Sequence, residues 1–152
     1  MPSTFDLTKQ VEKLQSKKVT RDSAALPQTA QSALFNVSGR VKVLSIIGEV
    51  ETVIQTQANN TKIVANPTVG ADVDLAAVND ISADAVGTNY SITGTFSDAM
   101  VATTSGAMPY QAAPTVVQAG TIDLNCAASN TGAVSWVIEY VAIDDGAVIT
   151  AA

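Results

Sequence analysis

Carboxylates, one thiol and no imidazole set the chemistry open to this chain. Close acid pairs stand at Asp72-Val73-Asp74 and at Asp144-Asp145. Paired acids serve calcium, which takes about six to eight oxygen ligands, or glycoside hydrolysis, in which two acids flank a sugar. No EF-hand spacing surrounds either pair, and a chain this rich in acids places some close together by composition alone. Both pairs therefore read as turn caps and surface charge. Cys126 is the single cysteine, so no intrachain disulfide forms. It shares the alternating run Ile122, Leu124, Cys126 and is expected on a core face as a small hydrophobe. A thiol or hydroxyl nucleophile needs a base, and with no histidine neither a Cys–His nor a Ser–His pair can be built. The commonest zinc ligands go with the imidazoles. Neither a P-loop nor a G-x-G-x-x-G phosphate turn occurs. The expectation is a protein that is not an enzyme and holds neither cofactor nor metal.

Two other features carry weaker chemistry. Trp136 and Tyr140 have the spacing of a stacking pair for sugar, but they share strand parity with Val134 and Ile138, which favours core packing. Asn36, Asn59 and Asn89 open glycosylation sequons. With no apolar segment of the secretory kind near the start, these read as chance and the protein is expected to be made in a cytoplasm.

The elements that position these residues read as mainly β. A domain of 152 residues buries roughly two-thirds of its unfolded surface. Charged residues are 14% of the chain against about 25% in an ordinary soluble domain. Thr, Ser, Asn and Gly supply much of the remaining surface, which suits a β-protein packed in an assembly. In the run 34–57, Val37, Val41 and Val43 share one parity, whereas Leu44, Ile46, Val50 and Ile54 share the other. The buried face therefore switches near Val43–Leu44, as at a bulge or where a strand passes from one sheet to the next, and Gly48 is a candidate second bend. Residues 61–67 form a short strand ended by Pro67, and residues 71–90 read as short strands and loops. The 133–143 run is a strand. Asp145-Gly146 is a tight-turn signal that predicts the last strand as a hairpin leg on the one before it. Short strands with a turn signal about every ten residues point to a β-sandwich or jelly roll.

Ahead of this body, residues 3–18 have the pattern of a short amphipathic helix. Ser3 and Asp6 stand at capping-box spacing, and Leu7, Val11 and Leu14 form one narrow stripe. Residues 19–32, with Pro27, read as an extended linker. Two parts follow: an N-terminal arm over 1–32 and a β-sandwich domain over 33–152. Residues 1–21 of the arm carry Lys9, Lys13, Lys17, Lys18 and Arg21 against two acids, Asp6 and Glu12. From residue 63 onward there is neither Lys nor Arg, only nine acids. A basic arm on an acidic body either docks on an acidic neighbour or is a helix with solvated charges. Nucleic acid is not an expected partner, because the body is acidic and the arm lacks interleaved aromatics. No apolar run reaches the ~18 residues of a membrane span, so no membrane is expected either.

Residues 33–67, then Thr121-Ile122-Asp123 and the run 130–152, resemble small tailed-bacteriophage virion proteins. The likeness lies in a strand followed by Gly48-Glu49-Val50, a middle Asn66-Pro67, and a W-x-x-x-Y strand ending in Asp144-Asp145-Gly146-Ala147. It covers roughly residues 33–152. It implies a capsid decoration, or cement, protein that binds the major capsid protein on the head surface and associates with copies of itself, a trimer among the arrangements. In such proteins the arm clamps the shell, which here implicates Leu7, Val11, Leu14, Lys9, Lys13, Lys17, Lys18 and Arg21. The alternative within the same resemblance is a tail or fibre component that recognises a host surface.

Overall fold

The computed structural model describes residues 15–152, together with Leu7. Alternating apolar residues become twelve strands: β1 (Lys17–Ala25), β2 (Gln31–Ser38), β3 (Val41–Thr52), β4 (Asn60–Pro67), β5 (Val73–Asp74), β6 (Asn79–Asp80), β7 (Asn89–Ser91), β8 (Val101–Thr103), β9 (Thr115–Val117), β10 (Gly120–Cys126), β11 (Ala133–Ala142) and β12 (Val148–Ala151). They form two six-stranded sheets. The first runs β1-β11-β3-β7-β8, with β9 also on β3; the second runs β12-β2-β10-β4-β5, with β6 also on β4. Neighbouring strands are antiparallel. The inward faces meet in one apolar core that takes in Phe35, Val41, Ile46, Ile63, Ile122, Trp136 and Ile138, each at most 2% exposed. This is a β-sandwich.

Most connections carry the chain from one sheet to the other, and this overturns one local expectation. Asp145-Gly146 does form a turn, closed by the Ala147 N–H donating to the Asp144 carbonyl at 3.0 Å. Its outgoing strand β12 pairs with β2, however, and not with β11. The hairpin turn favoured by Asp-Gly needs positive φ at both central residues. Here only Gly146 has it, at +75°, and the strands splay toward different sheets. The β2–β3 turn makes the same crossing alongside: a Cβ on Gly39 would lie 2.9 Å from that of Ala147.

The parity switch at Val43–Leu44 is a bulge. Val43 pairs with Tyr140 and Ser45 with Glu139, which leaves Leu44 without a partner across the ladder. Gly48 is not a bend: it sits in unbroken register opposite Trp136 on one side and Tyr90 on the other. A Cβ there would lie 2.7–2.9 Å from three Trp136 ring atoms. The indole thus lies over the glycine, and its ring packs on Tyr90 with centroids 6.3 Å apart. Glycine is required because a neighbour fills the space its side chain would take.

The arm is also redrawn. Val11, Leu14, Lys9 and Lys13 lie outside the described residues, as does most of the helix read over 3–18. Its last residues, Lys17 and Lys18, are strand and not helix. Residues 17–25, read as helix end and linker, are β1, hydrogen-bonded to β11 from Lys17–Tyr140 to Ala25–Ala133. The boundary drawn between residues 32 and 33 falls inside β2. An edge strand needs apolar residues on one face only, and Val19 supplies that contact to the core. Leu26, immediately after β1, is 3% exposed.

Candidate functional site

The residues with catalytic chemistry are tied up in packing and turns. Cys126 is 2% exposed; its Sγ accepts from the Thr61 hydroxyl at 3.7 Å, and burial pushes the thiol above its usual range. Asp144 accepts from the Arg40 guanidinium and backbone, the closest contact being 2.8 Å to Nη2. That hydrogen bonding holds its carboxyl below the usual value and raises Arg40. Asp74 is ion-paired to Lys62 at 2.7 Å. Asp72 accepts from Gln31 at 2.9 Å. Among the described residues no three of His, Cys, Asp and Glu converge on a common point. Trp136 and Tyr140, at 2% and 1% exposure, lie in the core. The Tyr140 hydroxyl accepts from the Ile149 N–H at 3.1 Å and so links the two sheets.

Three polar features went unread in the sequence. Asn59, noticed only as a sequon, is fully buried. Its side chain holds both the N–H and the carbonyl of Ala128, and its own N–H donates to Asp80. That donor and the Ser82 N–H keep the Asp80 carboxyl below its usual range. Asn130, also fully buried, donates to the carbonyls of Gln55 and Gln57. Asp123 is 3% exposed on the second sheet; its Oδ2 accepts from Gln31 and Asn66, while Oδ1 has no hydrogen-bond partner among the described residues. Nothing in the strand period marks a buried amide or carboxylate, because such a residue is placed by partners distant in sequence.

Of the residues proposed for partner binding, the described ones are Leu7, Lys17, Lys18 and Arg21. Leu7 is 63% exposed. Lys17, Lys18 and Arg21 lie on β1, the terminal strand of the first sheet. The two lysines are exposed. Arg21 shares parity with Val19 and turns toward the gap between the sheets, just before a register break in β1 that ends at Ala24. There it helps line a cleft of about 220 Å³ with Ala24, Leu26, Pro27, Ser32, Leu34 and Leu124. No acid is among the lining residues. The Arg21 Nε is buried and makes no hydrogen bond among the described residues. Such a donor is seldom left unpaired, since desolvation without a partner costs about 1–3 kcal/mol or more for a charged group.

A second recess, of about 280 Å³, lies across the molecule between β4, β5 and β9. Val69, Val73, Phe96 and Val116 are its exposed apolar rim. It falls just short of the roughly 300–1,000 Å³ of small-molecule sites and holds no charged group.

Comparison with protein-family models, with curated proteins and with solved structures finds no match for this chain.

Proposed function

We propose that this protein is a structural component of a tailed-bacteriophage virion. In this reading it is a decoration protein, jelly-roll-like in its sandwich, that binds the major capsid protein at the head surface and stiffens the shell, alone or as a small oligomer. What supports the reading, beside the resemblance over roughly residues 33–152, is the placement of charge. Lys17, Lys18 and Arg21 share one edge strand, whereas the chain beyond Lys62 carries acids and no base. A basic edge on an acidic body orients the molecule on an acidic surface and repels its other faces from it. An exposed aromatic pair would have favoured sugar recognition by a tail or fibre component; Trp136 and Tyr140 are in the core.

The test is addition of purified protein to phage heads that lack it. Expected are saturable binding at hundreds of copies per head, a raised head melting temperature, and weakening as salt rises. Charge reversal of Lys17, Lys18 and Arg21 to Glu should abolish binding in a variant that still melts cooperatively. A handful of copies fractionating with tails would overturn the capsid reading.

A further inference from the structure

The recess between β4, β5 and β9 leaves large apolar side chains in water. Val69, Val73, Phe96 and Val116 are exposed around it, and buried Leu75 and Val117 also line it. Exposed apolar residues scattered singly need no explanation; gathered around one recess they mark a contact surface. The setting is acidic. Asp72 and Asp74 alternate along the chain with Ala71, Val73 and Leu75 of the lining, and Asp98 follows Phe96 by two residues; all three acids are exposed. Lys62 is paired with Asp74 at 2.7 Å, and beyond it the sequence holds no base. Because β4 and β5 belong to one sheet and β9 to the other, the recess spans the inter-sheet spacing of about 10 Å.

The arm carries the complement. Leu7, Val11 and Leu14 recur at i, i+4 and i+7, a rise of about 10 Å on a helix, and a helix this short holds only against a partner. Leu7 is exposed and is not among the residues lining the chain's own recess. Val11 and Leu14 lie outside the described residues. Residues 1–21 bear five bases against two acids. On a helix Lys9 and Lys13 fall opposite the stripe, so they steer the arm toward an acidic body and do not pair at the rim.

We propose that this recess receives the arm of a second copy of the chain, with Leu7, Val11 and Leu14 as the anchors of a helix laid in a groove. The inference goes beyond the capsid reading and does not rest on it, since both surfaces belong to this chain. Each copy offers one arm and one recess, so association continues until every recess is filled, in a reciprocal pair or a closed ring. In the first sheet β11 and β3 lie between β1, where the arm joins the body, and β9, where the recess opens. The arm and the recess of one copy are therefore separate surfaces.

Sedimentation of the full-length protein over a range of concentrations tests this. The wild-type protein is expected to self-associate, and less so as salt rises. Leu7→Glu, in the arm, and Val116→Glu, at the recess, should each weaken association at least about tenfold, the scale of one buried aliphatic side chain. Both residues are exposed, so both variants should keep cooperative melting. Mixed in equal amounts, the two variants should form a dimer that neither forms alone, because one brings an intact recess and the other an intact arm. Where a variant melts early, a synthetic peptide of residues 3–18 takes its place: added to the wild-type protein, it should dissolve the oligomer and shift the Val69, Val73 and Val116 amides together. A mixture that stays monomeric, or a peptide that moves none of these amides, would overturn the site. Self-association that both substitutions leave intact would put the contact elsewhere on the body and overturn it equally. A monomeric wild-type protein in which Leu7→Glu shifts the Val73 and Val116 amides would make the occupant the chain's own arm and overturn the assignment to a second copy.

Discussion

The sandwich is finished differently at its centre and at its open flank. At the centre of the first sheet, β3 gives up a side chain at Gly48 so that the Trp136 ring can lie over it and against Tyr90. The polar group beside the ring is paired: the Tyr90 hydroxyl donates to Asp84 at 2.6 Å. Burial keeps the Tyr90 phenol protonated far above its usual range and raises the Asp84 carboxyl as well. At the flank, the same sheet ends on a strand whose inward arginine has no acceptor for its Nε among the described residues. The centre is specified by shape and the flank by an unmet polar demand. The two should therefore respond oppositely to substitution: the centre through stability, the flank through binding.

The largest effect is expected where shape is tightest. Trp136→Ala should cost about 3–5 kcal/mol in urea unfolding. Gly48→Ala should cost about 1–3 kcal/mol, because the added methyl meets the indole at under 3 Å. The pair should be strongly non-additive, since removal of the ring makes room for the methyl. Additive losses would mean that Gly48 serves the backbone and not the ring, and would bring back the bend read from the sequence.

Tyr140→Phe comes next. It removes only a hydroxyl, but that hydroxyl is the acceptor for the buried Ile149 N–H and so binds β12 to the first sheet. Leaving a buried donor unpaired costs about 1–3 kcal/mol. The loss should appear as faster amide exchange confined to β12 and the adjoining half of β2. Uniform loss of protection across both sheets would show that the flank is as cooperative as the centre, and would weaken the contrast between them.

Much of the centre was legible in the sequence. Strand parity placed Cys126, Trp136 and Tyr140 in the core, and the change of parity after Val43 located the bulge at Leu44 before any pairing was known. These are local signals of period two. What failed was non-local. The strand over residues 17–25 was read as helix end and linker, because Thr20, Asp22 and Ser23 mask an alternation carried by Val19 and Ala24 alone. Its partner β11 lies more than a hundred residues later. Asp145-Gly146 announced a turn, yet which strand the turn leads to depends on two sheets and not on the dipeptide. Arg21 was counted for its charge on an arm. That it lines a cleft follows only from β1 lying on the sheet, where inward parity turns a surface cation into a lining residue.

The smallest effect on stability, and the sharpest use of the contrast, belongs to Arg21. The residue is half-buried, and its Nε is desolvated without an acceptor among the described residues. An unpaired buried polar group is a cost to the folded state, not a contribution. Against that, its methylenes cover apolar surface in the cleft beside Leu26 and Leu34. Arg21→Met keeps most of that coverage and removes the charge, so it should leave the urea midpoint within about 0.5 kcal/mol of wild type or raise it. Arg21→Ala loses the coverage and should fall below Arg21→Met. A large loss in Arg21→Met would show that the guanidinium is already satisfied within the folded chain, and the flank would then be closed like the centre. Stability retained in Arg21→Met would separate the two regions: at the centre side chains hold the fold, and at the flank the guanidinium adds nothing to it.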